Sequence, residues 1–376
     1  MPTRSSARPA TRHSQAAVCV RLRLCVPPRA RSFTSCGTES DNWAIAAAVA
    51  DAAARSPPGS APPHVVTSAI EHPAVLQYLS AQAAAGALTY TAVAPEADGG
   101  VRADALAAAL TARTCLLTLM HSNNETGALQ PVRAAAAAAA ARGVRTHTDA
   151  AQSCGKVAVD VRALGVDYAT VVGHKFGAPK GVAALYARRG APLSRLLQGG
   201  GQERGMRPGT ESVLLVAGLG AAAALARAEL PAAAAHAAAL RDALQATLQR
   251  ELGGADGSGV RVHAAEAPEG RLPNTLSIAV RGLRAATLLD ELRDEVAASA
   301  GAACHTPSDD DDKGGGQGAA APPPRVSAVL RAMGVADELA VGTMRLSVGR
   351  HTTRRDVDRA AAAVVAAARR QLAAKR

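Results

Sequence analysis

Aromatic side chains are scarce in this sequence: Phe, Trp and Tyr make up 2% of the residues, although 48% are hydrophobic. Alanine and the aliphatic residues must therefore fill most of the interior, and 376 residues are enough for two domains. Charge-free apolar runs long enough to span a membrane are also missing, because arginine interrupts the alanine-rich tracts. We therefore predict a globular protein without a membrane span.

Paired cysteines are missing too. None of the six cysteines belongs to a Cys-x-x-Cys pair or shows the histidine spacing of a zinc ligand set. We predict no metal site and no disulfide framework, and we expect a reducing compartment, the cytoplasm. Three of the cysteines, Cys36, Cys115 and Cys154, lie in predicted strands or tight turns and are interpreted as small packing residues.

Acidic residues are missing from the first 38 positions, a segment that holds seven arginines. Residues 1–32 resemble an organelle transit peptide, which would direct the protein to a mitochondrion or plastid, or they mark a mispredicted gene start. The formal net charge of +11 would fit a nucleic-acid partner, but the arginines are scattered. We predict no nucleic-acid binding.

Lysine is rare, since only five of the 42 Lys and Arg residues are lysines. One of them, Lys175, stands in VVGHKFGAPKG (171–181), at the end of a predicted buried strand and before a Gly/Pro-rich turn. A primary amine at such a position can serve covalent chemistry. The alternative is a surface lysine whose aliphatic stem lies along apolar neighbours.

Short β-branched runs alternate with alanine-rich helical stretches from about residue 33 onwards. The predicted strands are 64–70, 114–120, 143–149 and 166–172, with helices such as 103–112 and 132–142 between them. This alternation predicts an α/β fold with a large, doubly wound, mostly parallel sheet. Ligands bind at the carboxyl ends of the strands in such sheets, so the residues after each strand are the candidates for a site.

A second, smaller domain is predicted after the large one. The sequence continues with a long helix at 212–252, a strand at 274–280, a helix near 285–297 and a terminal helix near 354–374. We predict a large domain over 33–240 and a smaller C-terminal α+β domain over 241–376. The low-complexity stretch 306–324 is predicted to be a flexible insert.

Polar clusters follow the predicted strands. They are EH (71–72), NNET (123–126), DAAQ (149–152) and HK (174–175). Each has a structural interpretation when taken singly, since Asp149 can cap a helix and His72 can be a structural histidine. A parallel sheet brings successive strand ends to one edge, so together they predict a site.

A lysine, an acid and a phosphate-binding helix start are what pyridoxal 5'-phosphate requires. The lysine amine forms a Schiff base, and the acid keeps the pyridine nitrogen protonated. Lys175 and Asp149 supply these groups, and Gly37 and Thr38 in TSCGTESDN precede a predicted helix whose backbone N–H groups can bind phosphate. An ordinary capped helix is the alternative for that stretch.

Nine motifs carry a resemblance to a known family. In chain order they are FTSCGTESDN, SAIEHPAVL, NNETGALQPV, HTDAAQSCGK, GHKFGAPKG, GGGQERGMRPGTES, LPNT, GAACH and RLSVGRHTT. From residue 33 to about 365 their order and spacing resemble the cysteine desulfurase family, which includes the selenocysteine lyases and belongs to the class V aminotransferase fold. The resemblance implies the type I fold of pyridoxal-phosphate-dependent transferases, that cofactor and a homodimer.

The resemblance also implies residue roles. Lys175 resembles the Schiff-base lysine, and His72 would stack on the cofactor ring and help to move protons. The full implied cofactor-binding set is Gly37, Thr38, His72, Asp149, Gln152, His174, Lys175 and Thr210, with Thr210 reaching across from a second subunit. Asn124 and Arg345 would bind the substrate carboxylate, because a guanidinium matches two oxygens.

The implied activity is the removal of selenium or sulfur from L-selenocysteine or L-cysteine to give L-alanine, with a sulfur or selenium acceptor protein as a further partner. Cys304 would take the sulfur or polarise the selenium. Its small neighbours, the adjacent histidine and the long loop after it independently favour an exposed nucleophile. The motifs VGHKF, RPGTE and GAACH are closer to those of the selenocysteine lyases.

Two departures from the family pattern leave alternatives open. The Asn-Ala-Thr-Thr-Pro and Gly-Asn-Pro-Ser-Ser segments that open the family are not found before FTSCGTESDN, and Val172 stands where many desulfurases have a phosphate-binding serine. The alternatives are a class V transaminase, which would not need Cys304, and an inactive scaffold.

Overall fold

The computed structural model of the chain describes residues 31–254, 258–300 and 326–374, and these form two compact units. In the described chain, the first unit comprises 31–93, 101–122 and 130–231, and the second comprises 94–100, 123–129 and the residues from 232 onwards. Most of the predicted leader and the whole predicted insert 306–324 lie outside the described residues. The last two leader positions, 31 and 32, belong to a strand instead.

The division between the units differs from the sequence-based one. It falls after Pro231, inside a continuous helix, rather than near residue 240. Two short segments, 94–100 and 123–129, belong to the second unit because of non-local pairing. Leu129 N–H donates to the Gly270 carbonyl at 2.9 Å, for example. Such pairing leaves no trace in the periodicity of the sequence.

The first unit is built on a seven-stranded sheet in the order β1-β7-β6-β5-β4-β2-β3. Its strands are β1 (Arg31–Thr34), β2 (His64–Ser68), β3 (Thr89–Val93), β4 (Thr114–Thr118), β5 (Arg145–Asp149), β6 (Tyr168–Val172) and β7 (Ala183–Ala187). The five strands β2 to β6 are parallel to one another, and β7 is antiparallel to both β6 and β1. The predicted mostly parallel α/β sheet is therefore confirmed.

Helices cover this sheet. They are α1 (Gly37–Arg55), α2 (Pro73–Ala84), α3 (Ala103–Ala108), α4 (Val132–Ala140), α5 (Val161–Leu164) and the first part of α6 (Val213–Leu252). Every residue of β2 and β6 is buried, as expected for strands that are covered on both faces. The single tryptophan, Trp43 on α1, packs into this core and its Nε1–H donates to the Ser194 carbonyl at 2.6 Å.

The second unit has a three-stranded antiparallel sheet in the order β10-β9-β8. Its elements are β8 (Val260–Val262), β9 (Thr275–Val280), β10 (Thr343–Ser347), α7 (Ala285–Glu291), α8 (Ala328–Ala332), α9 (Asp337–Ala340) and α10 (Arg354–Ala373). Aliphatic residues of the C-terminal part of α6, the sheet and α10 share one core, with Leu248, Ile278 and Val364 completely or almost completely buried. A capping box between Thr353 and Asp356 begins α10.

Helix α6 is unusually long and apolar. It has 40 residues, and its most apolar stretch has a mean hydropathy of 1.7. Of that stretch, 28% is buried. Among the described residues it is the one helix that could cross a membrane by length and composition, a test that core helices of soluble proteins also pass. The charged pair Arg227 and Glu229 and an internal proline, Pro231, interrupt its apolar sequence.

Candidate active site

The carboxyl ends of β2, β4, β5 and β6 lie at one edge of the large sheet. These four strands are consecutive in the sheet and parallel. His72 follows β2, Asp149 ends β5 and Lys175 follows β6. The topology therefore brings together three of the four predicted clusters, because parallel strands end on the same side. The fourth cluster, 123–126, belongs to the second unit.

Lys175 lies in a tight 3₁₀ turn, Gly173–Phe176, that directly follows the buried strand β6. A side chain at Gly173 would come within 2.9 Å of Leu219 Cδ1, so glycine is required where the turn approaches α6. Gly177, at φ 95°, ends the turn in the left-handed region. Lys175 itself is exposed. Lys175 is therefore a solvent-accessible amine on a closely packed turn.

Asp149 is a buried carboxyl group at the end of β5, with 7% of the residue exposed. Its Oδ1 accepts a hydrogen bond of 2.8 Å from Ala151 N–H within a turn, rather than at the start of a helix. Burial raises the pKa of Asp149, and the Ala151 N–H, a protonated His72 ring and the Lys175 ammonium each oppose that increase. A cation at this edge would therefore favour the ionised carboxylate.

His72 is the N-cap of α2, and its Nδ1 accepts a hydrogen bond of 3.1 Å from Ala74 N–H. Because Nδ1 is the acceptor, the proton of the neutral ring lies on Nε2. The predicted structural role and the predicted site role are therefore compatible: one ring nitrogen caps the helix and the other can donate.

The start of α1 forms an open cradle. Its N-cap is Cys36, whose side chain makes no capping hydrogen bond to the helix backbone. A Cβ at Gly37 would lie 2.7 Å from Val172 Cγ2, so glycine lets the helix start approach the end of β6. Uncapped N–H groups and the helix dipole attract anions. An uncapped helix start is compatible with the predicted phosphate cradle at Gly37 and Thr38, which stays a prediction.

The loop that carries Thr210 is tied to the same helix start. Arg207 donates two hydrogen bonds to the Glu39 carboxylate, from Nε at 2.9 Å and from Nη2 at 3.1 Å. These bonds lower the pKa of Glu39 although burial opposes the shift. Upstream in this loop, Glu203 and Arg204 have φ values of 48° and 62°, the left-handed conformation that is costly for residues other than glycine. Thr210 itself is exposed.

Two further predicted cofactor residues flank these groups. His174 is exposed in the turn before Lys175, and its pKa is lowered by desolvation and by the nearby charges of Lys175 and Lys180. Gln152 is half-buried in the turn after Asp149, and its Oε1 lies 3.4 Å from Lys156 Nζ. With the oxygen turned to Lys156, the amide nitrogen is the end of Gln152 that can donate to a ligand.

The two predicted substrate-binding residues meet in the second unit. Arg345 is on β10, and its Nη1 donates to the Asn124 carbonyl at 2.8 Å. Asn123 Oδ1 accepts hydrogen bonds from the N–H groups of Glu125 and Thr126, both at 2.9 Å, which fixes the turn around Asn124. The guanidinium of Arg345 is therefore held by the backbone that carries Asn124.

The cysteine predictions have different outcomes. Cys304 lies outside the described residues. Cys154 is buried, and burial raises the pKa of the half-buried Cys115 to about 11, so both behave as packing residues. The interpretation of Cys36 as a packing residue is wrong: it is exposed at the N-cap of α1, because the chain must leave β1 and turn into the helix there. No group of metal-ligating side chains is found among the described residues.

Sequence reasoning missed a buried polar cluster around His147 on β5. Its Nδ1 lies 2.8 Å from Thr118 Oγ1, its Nε2 lies 3.1 Å from Thr170 Oγ1, and Asp41 Oδ1 is 3.6 Å away. Burial lowers the pKa of His147 to about 3 and raises that of Asp41. The position of His147, two residues before Asp149 in a buried strand, could have indicated this cluster from the sequence. The approach of Asp41 from α1 could not have been predicted in this way.

Comparisons with known proteins agree with this geometry. The class V aminotransferase family profile matches residues 27–360. The chain is 39% identical over 328 residues to a cysteine desulfurase of Gluconacetobacter diazotrophicus, covering 87% of this chain and 75% of that protein. It is also 39% identical over 357 residues to the selenocysteine lyase of Bos taurus, covering 87% of this chain and 76% of that protein.

Solved structures show the same similarity. A NifS-like protein superposes with a TM-score of 0.81 at 31% identity, covering 96% of this chain and 90% of its own. DndA from Streptomyces lividans superposes with a TM-score of 0.70 at 32% identity, covering 90% and 88% of the two chains. Sequence and fold lead to one assignment, and the chain belongs to the class V aminotransferase family.

Proposed function

We propose that this protein is a pyridoxal-phosphate-dependent enzyme that removes sulfur or selenium from the β-carbon of L-cysteine or L-selenocysteine and leaves L-alanine. One observation carries the proposal: Lys175, Asp149 and His72 share one sheet edge in the family fold. The relatives named cysteine desulfurase and selenocysteine lyase support the substrate class.

The residues present fit the cofactor. A phosphate dianion suits the uncapped start of α1. Position 37 there must be glycine, because a Cβ atom would lie only 2.7 Å from Val172 Cγ2. A protonated pyridine nitrogen suits the buried Asp149 carboxylate, because a cation there offsets the cost of burying the anion. When bound, pyridoxal phosphate supplies an electron sink that weakens the bonds next to the substrate amino group.

The chain's own residues divide the work around that cofactor. The amine of Lys175 would hold the cofactor, and it would carry protons to and from the substrate Cα. Asp149 would keep the proton on the pyridine nitrogen, and Gln152 would donate to the phenolic oxygen. His72 would contact the cofactor ring, with its Nδ1 engaged by Ala74 N–H. Gly37, Thr38 and His174 hold the phosphate.

Substrate binding and sulfur transfer use the remaining predicted residues. Asn124 and Arg345 bind the substrate carboxylate. The Cys304 thiolate attacks the substrate sulfur, so that an S–S bond forms while the Cβ–S bond breaks. The electron pair of the broken bond stays with the carbon, which takes up a proton to become alanine. The resulting Cys304 persulfide passes its sulfur to an acceptor.

Substitution of Cys304 tests this function and separates the two substrates. Cys304→Ala is expected to lower alanine release from cysteine by about 100-fold or more, since sulfur needs a nucleophile to accept it. Selenium needs no such nucleophile, because the weaker Cβ–Se bond can break with its electron pair left on the carbon. Selenium then departs as elemental selenium, and the carbon takes up a proton to become alanine. Alanine release from selenocysteine is therefore expected to stay within about tenfold of the parent rate. Alanine is measured by chromatography for both substrates.

The matched control is Cys115→Ala, since the thiol of Cys115 is half-buried and its pKa is raised to about 11. This control is expected to keep both activities. Equal loss of both activities in Cys304→Ala would leave an ordinary desulfurase. If both were kept, Cys304 would have no role and the transaminase alternative would be favoured.

We also propose that the working protein is a homodimer in which Thr210 of each subunit contributes to the phosphate site of the other. Thr210 is exposed, and the start of α6 that follows it exposes two apolar side chains, Val213 at 56% and Leu214 at 81%. Adjacent exposed apolar side chains indicate a contact surface more strongly than single scattered ones do. A second copy covering this surface would also bring its Thr210 loop with it.

A charge at this surface tests the dimer. Leu214→Asp is expected to shift the protein to a monomer in analytical ultracentrifugation and to lower its cofactor occupancy, because a buried carboxylate destabilises an apolar interface. Gln249→Asp adds the same charge at an exposed position on α6 and is expected to remain dimeric. A parent protein that sediments as a monomer with full cofactor occupancy would contradict the proposal.

A further inference from the structure

Glu71 is a buried carboxyl group that the reaction described above does not use. It lies between the end of β2 and His72, and 3% of the residue is exposed. Its Oε1 accepts two hydrogen bonds, from Ser68 Oγ at 2.5 Å and from Met120 N–H at 2.9 Å. Its other oxygen, Oε2, is buried and has no hydrogen-bond partner among the described residues.

An ionised carboxylate at this position would be costly. A buried anionic oxygen without a donor loses its hydration and gains nothing in return. A proton on Oε2 removes that charge, and the two donors to Oε1 remain satisfied because a protonated carboxyl group keeps its carbonyl acceptor. The bonding pattern of Glu71 is therefore that of a neutral carboxylic acid.

The charged neighbours of Glu71 lead to the same protonation state. Two further buried carboxyl groups repel it, Asp149 at the end of β5 and Asp41 on α1. The cation at this edge, Lys175, acts on Asp149, as a protonated His72 ring would. When several carboxyl groups share a site, like charges prevent all of them from ionising. The favourable charge stabilises Asp149 as the anion, and Glu71 and Asp41, whose pKa values burial raises, are left with their protons.

We propose that Glu71 is a positioning residue that stays protonated so that Asp149 carries the negative charge of the sheet edge, and that loss of this proton in alkaline solution switches the site off. The second half of this inference rests on the proposed function, and the first half does not. The proposed switch involves only the exchange of one proton between Glu71 and water.

The direction of the pH dependence follows from burial. Desolvation raises the pKa of Glu71 to about 8, although the Ser68 and Met120 hydrogen bonds oppose the increase. The folded-state pKa lies above that of the unfolded chain, so the folded protein binds more protons between the two values. The contribution of Glu71 to stability is therefore full below its ordinary pKa and is lost as the pH rises through about 8.

Infrared spectroscopy of the cofactor-free full-length chain tests the protonation state directly. Protonated carboxylic acids absorb at higher frequency than carboxylates. In the parent, part of the carboxylic-acid band is expected to disappear in a titration centred near pH 8. Glu71→Gln is expected to lack that titrating component, whereas Glu266→Gln, which removes an exposed carboxyl group, is expected to retain it. A parent without the component, or a Glu71→Gln variant that still shows it, would overturn the proposal.

The alkaline switch is tested in the cofactor-loaded enzyme. Above pH 8 the parent rate is expected to fall by about tenfold per pH unit, as for loss of one essential proton. The Glu71→Gln rate, relative to its own value at pH 7, is expected to fall by less than about threefold over the same unit. Parallel profiles for parent and variant would overturn the switch. An inactive parent with the titrating infrared component would contradict the proposed function and leave the protonation state of Glu71 supported.

Discussion

Lys175→Ala is expected to produce a protein that folds but holds its cofactor only by non-covalent contacts. Lys175 is exposed in its turn, so its side chain contributes little to packing, and the glycines on either side define the backbone. After treatment with borohydride, the intact mass of the parent is expected to increase by the mass of the reduced cofactor. The mass of the variant is expected to stay unchanged. Turnover is expected to fall by about 10³-fold, which is within the range for loss of a proton carrier.

Lys180→Ala is the matched control, because Lys180 is an exposed lysine in the same segment. It is expected to retain the mass increase and the activity. A Lys175→Ala protein that is still labelled to the parent level would show that another amine holds the cofactor. A Lys175→Ala protein that retains turnover within about tenfold would contradict the role of Lys175 in proton transfer.

Much of this edge could be predicted because a parallel sheet is a local and repetitive arrangement. Residues 64–70, 143–149 and 166–172 are each rich in β-branched residues, and a polar residue ends or follows each of these runs. Once those runs are strands of one parallel sheet, the positions of His72, Asp149 and Lys175 along its edge follow from geometry. The spacing of the motifs then supplied the family.

The remaining features depend on contacts between residues distant in sequence. The reversed strand β7 was not predicted, because AALYA (183–187) lacks the β-branched residues that mark its neighbours. The bond from Met120 N–H to Glu71 spans 49 positions in the chain. The contact of Asp41 with His147 similarly joins α1 to β5. The pattern of a single sequence indicates whether a residue is buried. It does not indicate which distant residue donates a hydrogen bond to it.

The buried carboxyl groups also explain why Asp149 is expected to be the most sensitive acid in the chain. Asp149→Asn removes the negative charge and little else, because the amide oxygen can still accept the 2.8 Å hydrogen bond from Ala151 N–H. A neutral amide cannot stabilise the protonated pyridine nitrogen, so the electron sink is weakened. The variant is expected to fold and to bind some cofactor, and its turnover is expected to fall by about 100-fold or more, or roughly 2.7 kcal/mol in the barrier.

Asp160→Asn provides the comparison for Asp149→Asn. Asp160 caps α5 by accepting hydrogen bonds from Arg162 N–H and Ala163 N–H, and asparagine caps a helix equally well. This control is expected to keep both stability and turnover. If Asp149→Asn keeps turnover within about tenfold of the parent, Asp149 does not hold the pyridine nitrogen. In that case one of the other buried carboxyl groups, Glu71 or Asp41, would have to be the anion, and absence of the Glu71 titration near pH 8 from the infrared spectrum would identify Glu71 as that anion.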